Sequence, residues 1–252
     1  MTRPAWRRLR EALARRADAG LPCIFWLRDD DAVEPTAALD RLLRITARST
    51  VPVLLAVIPA HAGAALAARL AEERRVGVGV HGWSHANHAP PSEKKQELGP
   101  HRPADLVLAE LAEGRLRLSA AFGGFVPVLV PPWNRIDPAL AECLPGLGFE
   151  ALSAFGAFRA KALPAINSTV DIIDWHGGRK GRPEEELIDG IVRQIGHSGS
   201  VTVGILGHHL VHDEAAWNFL ERLFEATAEG VSWVSFRDLM GSAGAPAVTA
   251  PG

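Results

Sequence analysis

The chain has 252 residues, 47% hydrophobic and 22% charged, which suits one large α/β domain with a substantial core. Its 27 basic and 29 acidic residues leave a formal charge of −2, so no whole-protein field favours nucleic acid or an anionic membrane. No apolar run has the length of a membrane span or the position of a signal-peptide core, so we expect a cytoplasmic protein without a transmembrane segment. Cys23 falls in a predicted strand and Cys143 in a predicted helix, where we expect buried thiols rather than a disulfide.

Residues 1–20 have the pattern of an amphipathic surface helix. Six arginines alternate there with Trp6, Leu9 and Leu13 at helical spacing. We expect the arginines to form a solvated face, and contact with lipid or a partner protein is the alternative. Residues 21–240 contain no repeat or linker and are predicted to form one domain. Residues 241–252 are mainly Gly, Ala and Pro and are predicted to be a disordered tail.

Within residues 21–240, short apolar runs alternate with helical patterns. The runs are nearly continuous in Val, Ile and Leu, which is typical of parallel strands covered on both faces. Strands are predicted at 21–28, 51–58, 76–80, 126–130, 150–153, 170–174, 201–206 and 231–234. Helices are predicted at 36–48, 62–75, 103–121, 138–147, 183–195 and 213–229. The alternation favours an α/β fold, a single-domain distorted (β/α) barrel with about seven or eight parallel strands, over an open doubly wound sheet.

Polar residues follow five of these predicted strands. In chain order they are Asp29-Asp30-Asp31, His81, the segment 131–135 (Pro-Pro-Trp-Asn-Arg), Asp174-Trp175-His176 and His208-His209. The carboxyl ends of parallel strands gather on one face of such a fold, and active sites are built there. The five segments are therefore predicted to meet.

Two of these segments indicate a metal site. His81 and His85 lie four residues apart, so in a helical turn both imidazoles face one ion. Three consecutive aspartates repel one another at a strand end, and a bound divalent cation relieves that repulsion. One carboxylate and two imidazoles leave a position open for water, as in catalytic rather than structural zinc sites. We predict one divalent metal ion, with Zn2+ favoured, bound by one aspartate while a neighbouring aspartate stays free as a base.

Five motifs resemble those of the polysaccharide deacetylases, the NodB-homology carbohydrate esterases. Residues 28–32 (Arg-Asp-Asp-Asp-Ala) resemble the family's Thr-Phe-Asp-Asp-Gly, and residues 81–85 (His-Gly-Trp-Ser-His) resemble its His-Ser/Thr-x-x-His. Residues 130–134 (Val-Pro-Pro-Trp-Asn), 174–175 (Asp-Trp) and 206–208 (Leu-Gly-His) resemble its Arg-x-Pro-Tyr, Asp-Trp and Leu-x-His. The motifs stand in the family's order, and the resemblance runs from about Leu21 to Met240. Because some of these motifs depart from the family pattern, the chain resembles a divergent branch of the family.

The resemblance implies a barrel that uses a divalent metal, usually zinc, to remove acetyl groups from N-acetylated sugars. The implied roles are general base for Asp30, general acid for His208, and metal ligand for Asp31, His81 and His85. If the aspartates are matched to the family motif one residue earlier, Asp29 becomes the base and Asp30 the ligand, and the sequence leaves this open. It also leaves His209 as the alternative acid.

Around this centre the sequence offers further candidates. The backbone N–H of Trp133 stands where the family's motif tyrosine stabilises an oxyanion. Trp133, Trp175 and Trp83 are candidates for an apolar wall against the acetyl methyl or a sugar face, and core packing is the alternative for each. Asp174 and His88 are further candidates for substrate binding.

Departures from the motifs bear on function. Val130 replaces the arginine that orients the base in the family, and Arg135 or Arg28 is a candidate to supply that guanidinium from another direction. We expect a metal-dependent deacetylase that hydrolyses a linear amide; the alternative is a catalytically silent metal- and carbohydrate-binding relative. The expected substrate is a small acylated sugar, a sugar nucleotide or a lipid-linked sugar, and no nucleic-acid partner is expected. Phosphoester hydrolysis with two metals is disfavoured because ligands for a second ion are too few. The sequence leaves the oligomeric state unknown.

Overall fold

The computed structural model describes residues 4–243, and the long strand β1 (Cys23–Ala32) is its central element. The other strands are β2 (Val53–Val57), β3 (Val76–His81), β4 (Phe125–Val130), β5 (Ala151–Leu152), β6 (Val170–Asp171), β7 (Ile173–Asp174), β8 (Lys180–Gly181), β9 (Val201–Gly207) and β10 (Ser232–Trp233). Seven strands pair in the order β5-β4-β3-β2-β1-β9-β6, and β10 pairs with the start of β1. All these pairings are parallel, while β7 and β8 form a separate antiparallel hairpin.

The segment 164–172 joins the two edges of this sheet. Its first half bonds to β5, where the N–H of Leu152 donates to Pro164 and that of Ile166 donates back to Leu152. Its second half bonds to β9, where the N–H of Thr169 donates to Gly204. The sheet therefore curls into a distorted barrel, and the predicted fold with seven or eight parallel strands is confirmed.

Helices surround the barrel and return the chain to the start of the next strand. They are α1 (Pro4–Asp18), α2 (Ala37–Arg48), α3 (Ala64–Leu70), α4 (Ala104–Ala121), α5 (Pro138–Cys143), α6 (Glu184–Ile195), α7 (Glu214–Ala226) and α8 (Phe236–Ala243). Three begin at a side-chain cap, because Thr36, Asp137 and Asp213 each accept a backbone N–H of the first turn. These caps end the loops after β1, β4 and β9 and so fix the length of the segments that carry the site.

The helix α1 packs its apolar face against the helix layer. Trp6, Leu9 and Leu13 are buried, and the Trp6 ring lies 5.8 Å from that of Phe219 in α7. Arg16 differs from the solvated arginine expected from the sequence. It is buried, and its guanidinium donates to four backbone carbonyls, among them those of Ile195 and Pro22. Its charge is therefore stabilised within the fold by the dipoles of these four carbonyls.

Three local expectations need correction or completion. Cys23 is buried, but Cys143, also a free thiol, is exposed at the end of α5. The strand predicted at 170–174 breaks into β6 and β7, because Asp171 Oδ1 accepts the N–H of Ile173. The helix α8 was not predicted and extends to Ala243; the rest of the predicted tail lies outside the described residues. Within residues 4–243, no helix combines the length and apolarity needed to cross a membrane.

Candidate metal centre and active site

The end of β1 is irregular at the aspartates. Against β2, Asp29 pairs with Leu55 but Ala32 pairs with Val57, so β1 has one extra residue at this point. Asp31 occupies that bulge in the left-handed region, with φ of 73°. In a regular strand Asp30 and Asp31 would point to opposite faces. The bulge changes the direction of Asp31, so both carboxylates reach histidines of the same site.

Asp31, His81 and His85 form one cluster of possible metal ligands. Asp31 Oδ1 lies 3.1 Å from His81 Nε2 and 3.4 Å from His85 Nε2, and the three ligand atoms lie within 4.8 Å of one another. His81 Nδ1 lies 2.9 Å from the carbonyl oxygen of Val130, which fixes the Nδ1–H tautomer and turns Nε2 toward the cluster. Two imidazole nitrogens and one carboxylate oxygen are a donor set that suits catalytic zinc.

The charges within this cluster are strongly coupled. Burial alone would raise the pKa of Asp31, but the hydrogen bond and charge of His81 outweigh burial and lower that pKa below its usual range. Burial opposes the charged form of His81, yet the charges of Asp30 and Asp31 raise its pKa. Burial and the neighbouring His81 lower the pKa of His85. The cluster therefore favours an ionised carboxylate beside an imidazole free to act as a ligand.

The loop that carries His85 is held by the buried carboxylate of Glu97. Oε1 accepts the N–H of Ser84 at 2.7 Å, and Oε2 accepts the N–H of Trp83 at 3.2 Å. Gly82 makes this approach possible, because a Cβ there would lie 2.0 Å from Glu97 Oε2. His85 itself has φ of 57°, an uncommon conformation that Glu97 helps to hold.

Arg28 supplies the guanidinium that meets Asp30. Its Nη2 donates to Asp30 Oδ2 at 3.1 Å, and its Nε lies 2.9 Å from Oδ1, with both side chains buried. Nη1 reaches across the barrel to the Ser153 hydroxyl and to the carbonyls of Ser153 and Ala154. Nη2 also donates to Asn134 Oδ1. Asp30 is therefore held from its own strand, two residues away.

His208 faces Asp30 from the end of β9. Its Nε2 lies 3.9 Å from Asp30 Oδ2, and its ring meets Trp175 edge-on at 4.6 Å between centroids. Trp175 Nε1 donates to Asp171 Oδ2 at 2.8 Å. Burial raises the pKa of Asp171, and a positive charge on His208 acts in the opposite direction. Asp171 is thus an acidic neighbour of His208 that the sequence analysis missed.

Trp133 lies on the other side of the cluster. Its ring is 4.3 Å from that of His85, and the Lys95 ammonium lies 6.0 Å from the Trp133 ring centroid. Trp133 and Asn134 both have positive φ, 53° and 58°, in a short 3-10 turn after β4. Non-glycine residues in this region store strain, and such residues concentrate at functional sites. This turn presents the indole to His85 and the Asn134 amide oxygen to Arg28.

Arg135 and Trp83 lie apart from this constellation. Arg135 points to the loop after β3, where its guanidinium donates to the carbonyl of Lys95. The guanidinium beside Asp30 is instead that of Arg28. Trp83 packs outward: its ring lies under Arg117 of α4, at 5.5 Å, and against Gly114.

Asp174 and His88 also have other contacts. Asp174 Oδ1 accepts the N–H of His176 and of Gly177, so it shapes the turn of the β7–β8 hairpin. The N–H of His88 donates to Gln96. Within residues 4–243, no hydrogen bond or ring contact joins the His88 side chain to the cluster.

Asp29 and His209, which the sequence left as alternatives, pair with each other. His209 Nδ1 lies 2.5 Å from Asp29 Oδ1, and both residues are buried. Asp29 follows Arg28 in a regular part of β1 and so points to the opposite face of the sheet. The structure therefore brings Asp30, Asp31 and His208 together and leaves Asp29 and His209 outside.

Comparison with known proteins gives structural neighbours only. No protein-family model matches the sequence, and no curated protein matches it. A variant of the family 4 carbohydrate esterase (CE4) pseudoenzyme BA3943 with restored activity superposes with a TM-score of 0.59 and 18% identity. That match covers 86% of this chain and 67% of the other, and the wild-type pseudoenzyme is from Bacillus anthracis. The chain has the fold of the CE4 deacetylases.

Two further neighbours are described as deacetylase or esterase. The peptidoglycan deacetylase PdaC from Bacillus subtilis matches with a TM-score of 0.58 and 17% identity, over 86% of this chain and 90% of that one. The family 4 esterase from Streptomyces lividans, solved with acetate, has a TM-score of 0.55 and 15% identity, over 83% and 90% of the chains. The sequence resemblance to this CE4 fold is therefore confirmed.

Proposed function

We propose that the protein is a divalent-metal-dependent deacylase that removes an acetyl or related acyl group from an N-acylated sugar. The observation that carries this proposal is the convergence of Asp31, His81 and His85, with Asp30 and His208 beside them. The fold of the CE4 esterases supports the same reaction class. Asp31, His81 and His85 would hold the ion.

The chemistry of the bound ion is that of a Lewis acid: it would polarise the acyl carbonyl and lower the pKa of water. Asp30 acts as general base on the attacking water. Arg28 contacts both of its oxygens and so directs the carboxylate. The backbone N–H of Trp133 donates to the developing oxyanion. The indoles of Trp133 and Trp175 flank the acyl group.

His208 acts as general acid and protonates the departing amine, which is otherwise a poor leaving group. The edge contact with Trp175 orients its ring, and Trp175 in turn donates its indole N–H to the carboxylate of Asp171. Base and acid therefore approach the scissile bond from β1 and β9. A small acylated sugar in the cytoplasm is the substrate that we propose.

The second candidate is a silent relative that binds metal and carbohydrate without turnover. It is favoured by one observation: a pseudoenzyme and its reactivated variant are both among the neighbours with this fold. Similarity of fold therefore does not distinguish an active deacylase from a silent binding relative. The Arg28–Asp30 contact supports the enzyme, because the base keeps a guanidinium partner.

Acetate release from N-acetylated sugars by the metal-loaded protein tests the proposal. Asp30→Asn is expected to lower kcat by about 10²–10⁴-fold, the usual contribution of a general base, with metal content unchanged. Asp105→Asn, an exposed aspartate in the first turn of α4, is the matched control. Stoichiometric metal without acetate release from any N-acetylated sugar would establish the silent relative instead.

A further inference from the structure

A second group of polar side chains lies on the other face of β1. Its members are Asp29, His209 and His212, and the proposed reaction uses none of them directly. Asp29 and His209 are buried. A carboxylate in such a place is costly unless every lone pair has a strong donor, so its hydrogen bonds indicate what it holds.

These side chains hold two consecutive backbone amides. Asp29 Oδ2 accepts the N–H of His209 at 2.9 Å, while Oδ1 receives the Nδ1–H of the same residue. His212 Nε2 accepts the N–H of His208 at 3.1 Å. Gly207 allows both approaches, since a Cβ there would lie 2.7 Å from Asp29 Oδ2 and 3.3 Å from His212 Nε2.

The two amides flank the Cα of His208, at the point where β9 ends and ladder hydrogen bonds stop. The carbonyl of His208 is also engaged, because it accepts the N–H of Val211 at 2.9 Å. Both backbone polar groups of His208, its N–H and its carbonyl, are thus hydrogen-bonded. Only the side-chain torsions stay free, and Trp175 restricts those from inside.

We infer that Asp29, His209 and His212 are positioning residues, which fix the backbone of His208 so that its imidazole meets the leaving group. This inference rests on the proposed function. Burial lowers the pKa of His212 to about 4, so at neutral pH its Nε2 keeps the lone pair that accepts the His208 N–H. The Asp29 position corresponds to phenylalanine in the motif that β1 resembles, so this carboxylate is a feature of this chain.

Two substrates with different leaving groups test the inference. An N-acetylated sugar requires protonation of the departing amine, whereas 4-nitrophenyl acetate releases a phenolate that leaves without a proton. His212→Leu removes the acceptor and is expected to lower kcat for the sugar by about 10–100-fold, part of the usual contribution of a general acid, with KM unchanged. The aryl ester rate is expected to fall far less.

His212→Gln restores an acceptor at similar reach and is expected to recover most of the lost sugar activity. His197→Leu, an exposed histidine at the end of α6, is the matched control and leaves both rates unchanged. Equal losses on both substrates, or no loss on the sugar, would overturn the inference. A merely structural role predicts the equal loss, because the two substrates share every other step.

Hydrogen exchange provides a readout that does not need turnover. In the wild-type protein the amides of His208 and His209 are expected to exchange slowly, and Asp29→Asn is expected to accelerate the His209 amide. Fast exchange of both amides in the wild type would refute the positioning role, even if His212→Leu does not fold. A wild type that hydrolyses neither substrate would refute the proposed function while leaving the amide result to be judged separately.

Discussion

The two loops that carry the histidines of the site are stabilised in different ways. The loop after β3, which bears His85, is held by Glu97 of the same loop, 13 residues along the chain from Ser84. The loop after β9, which bears His208, is held by Asp29 from β1, 180 residues away, and by its own His212. The amides beside His85 are thus held from within their own loop, although that loop also bonds to the loops after β2 and β4, whereas the loop after β9 depends on the central strand.

Under the proposed function, this difference separates the residues that support metal binding from those that support proton transfer. Changes at Glu97 alter the backbone around a proposed ligand and leave β1 and β9 intact. Changes on β1 act on both sides of that strand, because Arg28 and Asp30 face the site while Asp29 faces the helices. We therefore expect metal affinity and acid catalysis to respond to different substitutions, and the predictions below test that separation.

The largest effect is expected from the ligands themselves. His85→Ala removes one of the three proposed ligands and is expected to lower metal affinity by more than about 100-fold, beyond the loss typical of residues that support a ligand. Acetate release falls with it. Metal analysis after dialysis measures this, with His197→Ala as control, because His197 is exposed just beyond α6 and its ring bonds to the Gln194 carbonyl. Full metal content in His85→Ala would contradict the ligand assignment.

Arg28 is expected to have the next largest effect. Arg28→Met leaves Asp30 buried without its partner, which typically costs about 3–5 kcal/mol, and it removes the group that directs the proposed base. Chemical denaturation and kcat measure the two effects. Arg28→Lys keeps the charge but loses the planar fork, so recovery is expected to be partial.

Arg135→Lys is the contrasting variant. Its guanidinium donates to a carbonyl of the neighbouring loop, and we expect less than about 0.5 kcal/mol of destabilisation, as for ordinary surface changes. If Arg135→Lys abolished acetate release while Arg28→Lys did not, Arg135 would be the residue that directs the base.

The order of strands and helices was predictable from the sequence because near-continuous apolar runs, which are typical of strands buried on both faces, alternate with helical patterns. The face of the site followed from the parallel arrangement, which places Asp31, His81 and His208 at strand ends. The exposed face of α5 was not predictable, since six residues are too few for periodicity to define which side Cys143 occupies.

Other features depend on pairing that the sequence does not display. The bulge at Asp31 is defined by how β1 pairs with β2, which the sequence does not show. Sequence alone therefore could not decide whether Asp30 and Asp31 or Asp29 and Asp30 are the base and the ligand. Arg28 reaches across the barrel to Ser153, and only the closed sheet brings β5 that near. Asp171 lies inside the strand predicted at 170–174, so the sequence pointed to Asp174 at its end. The break between β6 and β7, which brings Asp171 into the site, arises from a hydrogen bond to the N–H of Ile173.

Glu97→Gln tests whether the backbone beside His85 depends on Glu97. The glutamine amide has one acceptor oxygen, and its NH2 group, a donor, replaces the other, so the N–H of Trp83 or Ser84 loses its partner. We expect a metal affinity lower by about 10–100-fold, as for other residues that support ligands. Isothermal titration with Zn2+ measures it, with Glu93→Gln, an exposed position in the same loop, as control. A loss of kcat in fully metal-loaded Glu97→Gln would contradict the expectation that this loop affects metal affinity and not acid catalysis.

The smallest effect concerns His212 and the pH dependence of stability. Burial lowers its pKa to about 4 from an ordinary 6.5, although Asp29 and Asp213 nearby favour the charged form and His208 and His209 oppose it. Above pH 6.5 both folded and unfolded chains carry it neutral. Between about 6.5 and 4 the unfolded chain binds a proton that the folded chain does not. Stability therefore falls with acidity, by at most about 1.4 kcal/mol per pH unit.

His212→Gln removes this titration while keeping an acceptor for the His208 N–H. Its free energy of unfolding is expected to decline less steeply than that of the wild type as pH falls from 6.5 to 4, and to differ little in slope above that range. Urea denaturation at half-unit pH steps measures the two slopes, and His197→Gln is expected to keep the wild-type slope. Parallel curves for His212→Gln and wild type would mean that His212 takes up its proton in the folded protein. The acceptor that holds the His208 N–H would then be lost in mild acid, and the loop after β9 would be less firmly fixed than the loop that Glu97 holds.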